Sequence, residues 1–237
     1  MNRYRAIVTD IEGTTTPLAF VHEVLFPYAR ERLAAFVKAN GNVPEVASAL
    51  AEARALGECE GVDEEATIAL LLSWMAEDRK AGPLKLLQGL IWREGYEEGV
   101  LKGEVYADAA AHLREWHERG LRLFVYSSGS EEAQRLIFGH ADKGDIASLF
   151  EGFFDTRIGA KVETASYAAI AQAAGLAPGA VLFLSDHAGE ISAARDAGMG
   201  VVRIDRALSP DAWSVEEGGV PVAGSFGPVE TNLLTAG

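Results

Sequence analysis

Apolar and polar positions follow two rhythms along this chain, and the change of rhythm divides it. Near the N-terminus Ala6, Ile7 and Val8 make a short apolar run that predicts a buried parallel strand. Asp10 and Glu12 fall where that strand gives out into a loop. A long stretch with helical spacing and no convincing strand follows, in which Val21, Leu25, Tyr28, Leu33, Phe36 and Val37 share one face. Further helices are expected over Pro44–Leu56, Asp63–Lys80 and Pro83–Gly95, with breaks at Gly41, Gly57–Gly61 and Ala81–Pro83. Pro83 suits a first helical turn, where its missing N–H does no harm.

From about Val105 strands return. A helix over Tyr106–Arg119 leads through Gly120 into Leu121–Tyr126, an apolar run suited to a buried strand. Helix Glu131–Gly139, strand Phe153–Phe154, helix Glu163–Ala174, strand Ala180–Leu184, helix Gly189–Ala197 and strand Val201–Ile204 continue the pattern. That alternation predicts a doubly wound parallel sheet. The first strand joins it only across the helical stretch, which is far longer than an ordinary loop. The predicted architecture is α/β: a Rossmann-like core from residues 1–17 and 106–237, with residues 18–105 inserted as a helical cap.

With 237 residues, 49% hydrophobic and 24% charged, the chain has the make-up of a soluble globular protein able to bury a full core. Its net charge of −14 argues against a nucleic-acid partner, which needs a basic surface. The same charge repels phosphorylated ligands, so a phosphate site here requires a metal or local cations. Cys59 is the only cysteine, which leaves no disulfide framework or thiolate metal cluster and fits a reducing cytoplasm. Arg3 and Arg5 precede strand-like sequence, not the apolar block of a signal peptide. The longest apolar stretch, around Ile68–Ala76, is too short to span a membrane.

The strand ends carry the candidate chemistry, because open α/β sheets bind ligands beyond the carboxyl ends of their strands. Side chains two apart on an extended chain point the same way, so Asp10 and Glu12 can face one pocket. Gly13 then allows a tight turn, and Thr14, Thr15 and Thr16 offer hydroxyls and amides. Such a fragment is also met as a plain turn with side-chain-to-backbone hydrogen bonds. Ser127, Ser128, Gly129 and Ser130 stand at a helix start, where they can cradle phosphate or simply cap the helix. Ile158-Gly159-Ala160-Lys161 puts a lysine at a helix N-terminus, the wrong end of the dipole, which suits a lysine that faces an anion; a solvent-exposed lysine is the alternative. In Ser185-Asp186-His187-Ala188-Gly189-Glu190, Asp186 at a strand tip and Glu190 a helical turn on can face one point. Hard oxygen ligands of this kind suit magnesium together with phosphate. Asp186 as a helix N-cap, with Glu190 stabilising the first turn, is the alternative.

A nucleophile candidate, hydroxyl donors, a lysine and a metal carboxylate at four strand ends, in this order, resemble the haloacid dehalogenase superfamily. A narrower likeness follows. Asp10-Ile11-Glu12-Gly13-Thr14-Thr15, Tyr126-Ser127-Ser128-Gly129-Ser130, Phe138-Gly139-His140 and Phe154-Asp155-Thr156 look like the enolase-phosphatases (acireductone synthases) of methionine salvage. So do Leu25-Phe26-Pro27-Tyr28, Leu87-Gln88-Gly89 and Trp92 in the insert, and the matches run to about Arg203. Glu12 stands where most superfamily phosphatases carry Asp, as it does in that family; His187-Ala188-Gly189 departs from the family's wording. The resemblance implies a magnesium-dependent enzyme whose cap closes over a small phosphorylated substrate, 2,3-diketo-5-methylthiopentyl 1-phosphate. It implies Asp10 as nucleophile, Glu12 as acid and base, and Ser127, Ser128 and Lys161 as phosphate ligands. It also implies Asp10, the Glu12 carbonyl and Asp186 as magnesium ligands. A cytoplasmic monomer is expected.

Rival readings remain open at this point. A sugar-phosphate phosphatase or mutase of the same superfamily shares the motifs, with Glu12 and the insert residues against it. A dehalogenase needs no magnesium, which Asp186 and Glu190 oppose. A non-catalytic binding module sits poorly with every catalytic position being retained. His22, His112, His117, His140 and His187 show no metal-ligand spacing. His112 and His117 read as structural, and His140 as a core or capping residue. Trp74, Trp92, Trp116 and Trp213 read as packing residues, and Cys59, with no partner base, as unreactive.

Overall fold

The first apolar run forms strand β1 (Ala6–Thr9), buried throughout, in a computed structural model that describes residues 3–59 and 61–234. Residues 1, 2 and 235–237 of the expected core, and Glu60 of the expected break at Gly57–Gly61, lie outside the described residues. β2 (Arg122–Tyr126), β3 (Phe150–Phe154), β4 (Val181–Ser185) and β5 (Gly200–Ile204) join β1. Two short strands, β6 (Trp213–Val215) and β7 (Pro221–Ala223), extend one edge. The order is β3-β2-β1-β4-β5-β7-β6, with every pair parallel except β6 against β7. The chain order reverses at β1, between β2 and β4, and such a reversal opens a crevice at the carboxyl ends of the strands.

The helices are α1 (Phe26–Asn40), α2 (Pro44–Leu56), α3 (Glu64–Ala76), α4 (Gly82–Glu97), α5 (Ala107–Glu118), α6 (Glu131–Gly139), α7 (Thr164–Ala173), α8 (Ala188–Asp196) and the short α9 (Phe226–Val229). The chain divides into two compact units, Met1–Leu18 with Lys102–Gly237, and Ala19–Leu101. The first is an α/β, doubly wound and mostly parallel unit. Ala6, Val8, Phe124, Tyr126, Val181 and Phe183 face α7 and α8, where they meet Tyr167, Ile170, Ile191 and Ala194. The alternate residues Ile7, Leu123, Val125, Leu182 and Leu184 are wholly buried and point to the opposite layer. There α5 packs on β2 and α9, and Trp116 stacks on Phe226 at 5.3 Å. Trp116 is fully buried and gives its indole N–H to Glu230 at 2.7 Å, so truncating it to Ala should cost about 3–5 kcal/mol. Coverage on both faces is why the strands read as unbroken apolar runs.

The second unit is helical. α1 packs on α3 and α4, and α2 on α4. The Trp92 indole N–H donates to the Leu25 carbonyl at 2.8 Å while its ring stacks on Phe26, so Trp92 is a packing residue as expected. At Gly95 a Cβ would lie 2.6 Å from the Tyr28 hydroxyl, which ties the close approach of α1 and α4 to that glycine.

Three expectations are corrected. The helix expected to run to Lys80 stops at Ala76, because Asp78 takes a left-handed φ of 52°. β3 begins at Phe150 and not at Phe153, its exposed Glu151 and half-buried Gly152 having masked the strand. The sheet also continues past Ile204, and the hairpin of β6 and β7 makes it mixed.

Candidate active site

Thr9 lies opposite Val125 on β2 and Leu184 on β4, so Asp10 comes level with Tyr126 and Ser185 at the mouth of the crevice. The Asp10 side chain is only 5% exposed, and its Oδ1 accepts a hydrogen bond from the Lys161 ammonium at 2.6 Å. The loop beneath it is drawn tight. Asp10 donates its amide to the Leu184 carbonyl at 2.9 Å, and its own carbonyl accepts the Thr9 and Thr15 hydroxyls at 3.0 and 3.1 Å. The amides of Thr14, Thr15 and Thr16 converge on the Ile11 carbonyl at 3.2, 3.0 and 2.9 Å. Glu12 is half-buried and bridges to Thr16. β1 ends at Thr9, so the alternation expected to aim Asp10 and Glu12 together stops short of them. The turn, not the pleat, sets the place of Glu12.

Asp186 leans over this loop. Gly13 has φ +70°, and a Cβ there would fall 2.2 Å from Asp186 Oδ2, so a side chain at position 13 would evict the carboxylate. The Asp186 amide donates to Thr14 Oγ1 at 3.0 Å. Burial, and then the charge of Asp10, push the Asp186 carboxyl above its usual range, against the pull of Lys161. The N-cap of α8 is His187, whose Nδ1 accepts from the Glu190 amide at 3.3 Å. Asp186 is therefore not the helix cap.

Glu190 faces the same point, though by a different route from the one expected. It is buried, accepts the Ser185 hydroxyl at 2.9 Å and pairs with Lys161 at 2.8 Å. Lys161 thus bridges Asp10 and Glu190, its side chain 14% exposed. Burial opposes its charge, but the carboxylates of Asp10 and Glu190 outweigh that and hold the ammonium above the ordinary lysine range. Burial, and then Asp10, push Glu190 up.

The serine loop follows β2. Ser130 caps α6, its Oγ accepting from the Ala133 amide at 3.2 Å, so Ser127 and Ser128 are not the caps. Ser127 is buried and its Oγ accepts from the Gly129 amide at 3.3 Å; Ser128 is half-buried. Buried Gln134 donates to the carbonyls of Gly129 and Phe154 at 2.8 and 2.9 Å, which ties the serine loop to the tip of β3. Gln134 escaped the sequence reading, since a lone glutamine on a helix carries no signal.

Arg206 escaped it too. Its guanidinium engages both Asp108 oxygens at 2.9 and 2.8 Å and donates twice to the Thr14 carbonyl, at 3.0 and 2.6 Å. The same group lies 4.1 Å from the Tyr106 ring. Elsewhere, His140 is exposed at the end of α6, a cap and not a core residue. His112 packs against Trp116, and Trp213 is half-buried in β6.

The donors present suit a divalent cation. Asp10 and Glu190 pair with one ammonium while Asp186 lies near enough to feel both charges, and burial, then the charge of Asp10, push Asp186 and Glu190 up. Among the described residues no group of three or more His, Cys, Asp or Glu side chains is arranged to hold a metal. An ion held by only two carboxylates would keep coordination positions for water and phosphate oxygens, which magnesium favours.

A buried carboxylate and lysine at the tip of the central strand, with a second carboxylate leaning in from β4, belong to a recognisable class. The haloacid dehalogenase-like hydrolase family matches residues 4–198, and the chain belongs to it. The enolase-phosphatase E1 of Parvibaculum lavamentivorans is 71% identical over 233 residues, 98% of this chain and 97% of that one. That of Thioalkalivibrio sulfidiphilus is 52% identical over 225 residues, 95% and 98% of the two chains. Among solved structures, the Unknown transcript 4 protein of Saccharomyces cerevisiae superposes with a TM-score of 0.76 at 34% identity, covering 94% of this chain and 99% of its own. Within the hydrolases the chain thus belongs to the enolase-phosphatase E1 family, and it is an enzyme of methionine salvage. No helix among the described residues is long and apolar enough to cross a membrane.

Proposed function

We propose that the enzyme converts 2,3-diketo-5-methylthiopentyl 1-phosphate first to its enol phosphate and then to the acireductone, 1,2-dihydroxy-3-keto-5-methylthiopentene, and phosphate. The observation that carries this reading is the buried Asp10 carboxylate held at 2.6 Å from Lys161 beside the turn that bears Glu12. One Asp10 oxygen attacks phosphorus, forming an aspartyl-phosphate as the bond to the enol oxygen breaks. Glu12 protonates the departing oxygen and then takes a proton from the water that hydrolyses the acyl phosphate. Lys161, Ser127 and Ser128 hold the phosphoryl oxygens, and the Lys161 ammonium offsets charge gathered there. Asp10, the Glu12 carbonyl and Asp186 would hold magnesium, which when bound neutralises phosphate charge and polarises the neighbouring carbonyl for enolisation. Enolisation and phosphate release share this one site.

Residues 18–105 act in this reading as a cap that closes over the substrate and excludes bulk water. The protein works as a monomer in the cytoplasm, where reducing conditions suit its free Cys59.

Phosphate release from the diketo phosphate, measured with magnesium and with chelator, tests the proposal. Turnover should require magnesium and vanish in a folded Asp10→Asn enzyme, because a neutral amide is a poor nucleophile. Turnover of hexose phosphates with none of the diketo ester would install the sugar-phosphatase reading instead. Full activity in chelator would remove magnesium from the scheme.

A further inference from the structure

Three hydroxyls hold the loop that carries Lys161, one to each residue. Gly159, Ala160 and Lys161 present successive carbonyls, and each accepts a bond from a different buried side chain. Tyr126 donates to Gly159 at 2.9 Å, Ser166 to Ala160 at 2.8 Å and Tyr167 to Lys161 at 2.6 Å. Tyr126 comes from the end of β2, and Ser166 and Tyr167 from the first turns of α7. The fit leaves little slack: Gly159 has φ +142°, and a Cβ there would meet Ser166 Oγ at 2.2 Å.

The rings of Tyr126 and Tyr167 are wholly buried and meet edge to face at 5.5 Å, a packing role that phenylalanine would fill as well. What phenylalanine would lack is the hydroxyl. Burial holds both phenols above the ordinary tyrosine range, so both remain protonated donors. Tyr126 acts a second time, its ring centroid lying 5.8 Å from the Lys161 ammonium. A lysine on an untethered loop would spread its charge over many rotamers. Here the main chain is fixed at three consecutive points before the side chain begins.

We propose that Tyr126, Ser166 and Tyr167 are positioning residues that fix Lys161 against Asp10 and thereby set the affinity of the site for a phosphoryl group. The inference rests on the phosphate-holding role proposed above for Lys161. Inorganic phosphate, the product, serves as the probe through its competitive Ki, measured beside KM and kcat for the diketo phosphate. Tyr126→Phe, Tyr167→Phe and Ser166→Ala should each raise Ki and KM together by about fivefold, the worth of one hydrogen bond, with kcat changed less. Each variant is an independent arm, so failure of one to fold leaves two. Lys161→Met should raise Ki further, and adding Tyr167→Phe to it should raise Ki no more, because the hydroxyl acts only through the lysine. A purely structural hydroxyl would lower the melting temperature while leaving Ki unchanged, or would add the same factor with and without Lys161; either result overturns the proposal. Wild-type Ki and turnover in Lys161→Met would instead remove the role of the lysine itself, and the positioning role with it.

Discussion

Gly13 shows how much of this site hangs on one missing methyl. Its φ of +70° is a conformation that L side chains rarely adopt, and the space for a Cβ is filled by Asp186 Oδ2 at 2.2 Å. Gly13→Ala should therefore strain the turn by about 1–2 kcal/mol and push Asp186 aside. A shift near one ångström is worth about a hundredfold in rate, so phosphate release should fall by that order and half-saturation by magnesium should move upward. An unchanged magnesium titration would show that Asp186 does not meet the ion. Glu12→Asp tests length in the same way: it withdraws the carboxyl by one methylene, and turnover of the diketo ester should drop by at least tenfold. Equal turnover would make the length incidental. Asp10, Lys161 and Asp186 were picked out in the sequence because they stand at successive strand ends in one recurring order; singly, a turn or a helix cap accounts for a charge at such a place. The hydroxyls of Tyr126 and Tyr167 were not picked out. In sequence they are aromatic core residues, and only the loop that folds over them shows what the oxygens do.

Elements that carry several apolar residues in phase were readable, and those built from three residues were not. β1 and β4 are buried throughout and β2 and β5 over most of their length, whereas β6 and β7 offer Trp-Ser-Val and Pro-Val-Ala, too short to display a period. Pro221 stands at the first position of β7, where its missing N–H is tolerated. The tip of β3 shows how such an end is held. Asp155 Oδ1 accepts the Arg157 amide at 2.8 Å, both its oxygens lie 2.9 Å from Arg157 Nε, and Arg157 reaches on to Glu131 at the start of α6 at 2.9 Å. Burial works against the Asp155 charge, but Arg157 prevails and its carboxyl is held below the usual range. A depressed folded-state value gives stability that is present above the unfolded value near pH 4 and lost as pH falls through the folded one. Asp155→Asn keeps the acceptor for the Arg157 amide and removes only the charge. The variant should be less stable by about 0.5–1 kcal/mol at neutral pH, because Arg157 is largely exposed, and the difference should close on acidification below pH 4. Denaturant melts of both proteins across that range would show it, and a difference independent of pH would assign the loss to shape.

Across the whole α/β unit, the segment after β5 returns to the first loop, and no motif announced this. The family match ends at residue 198, and the likeness read from sequence ends near Arg203, yet Arg206 holds the Thr14 carbonyl from the far side of the sheet order. The line of contact is continuous. Asp108 orients Arg206 and also accepts the Phe226 amide at 2.9 Å; Arg206 fixes Thr14; the Thr14 hydroxyl accepts the Asp186 amide. The loops that follow β1 and β4 are thus tied to a residue from a third, the one that follows β5. Arg206→Met keeps the aliphatic stem but removes the fork, leaving Asp108 without its cation and Thr14 without two donors. Stability should fall by about 1–3 kcal/mol, less than for a fully buried pair because Asp108 retains some exposure. The Asp186 loop should loosen with it, raising the magnesium concentration needed for half-maximal phosphate release by about fivefold or more. Arg206→Lys restores the charge without the planar fork and should recover stability more than magnesium affinity, since three donors on one nitrogen cannot reproduce the four bonds that the guanidinium makes to Asp108 and Thr14. If magnesium dependence instead stays at the wild-type value while the protein melts earlier, Arg206 holds the fold together but takes no part in shaping the site.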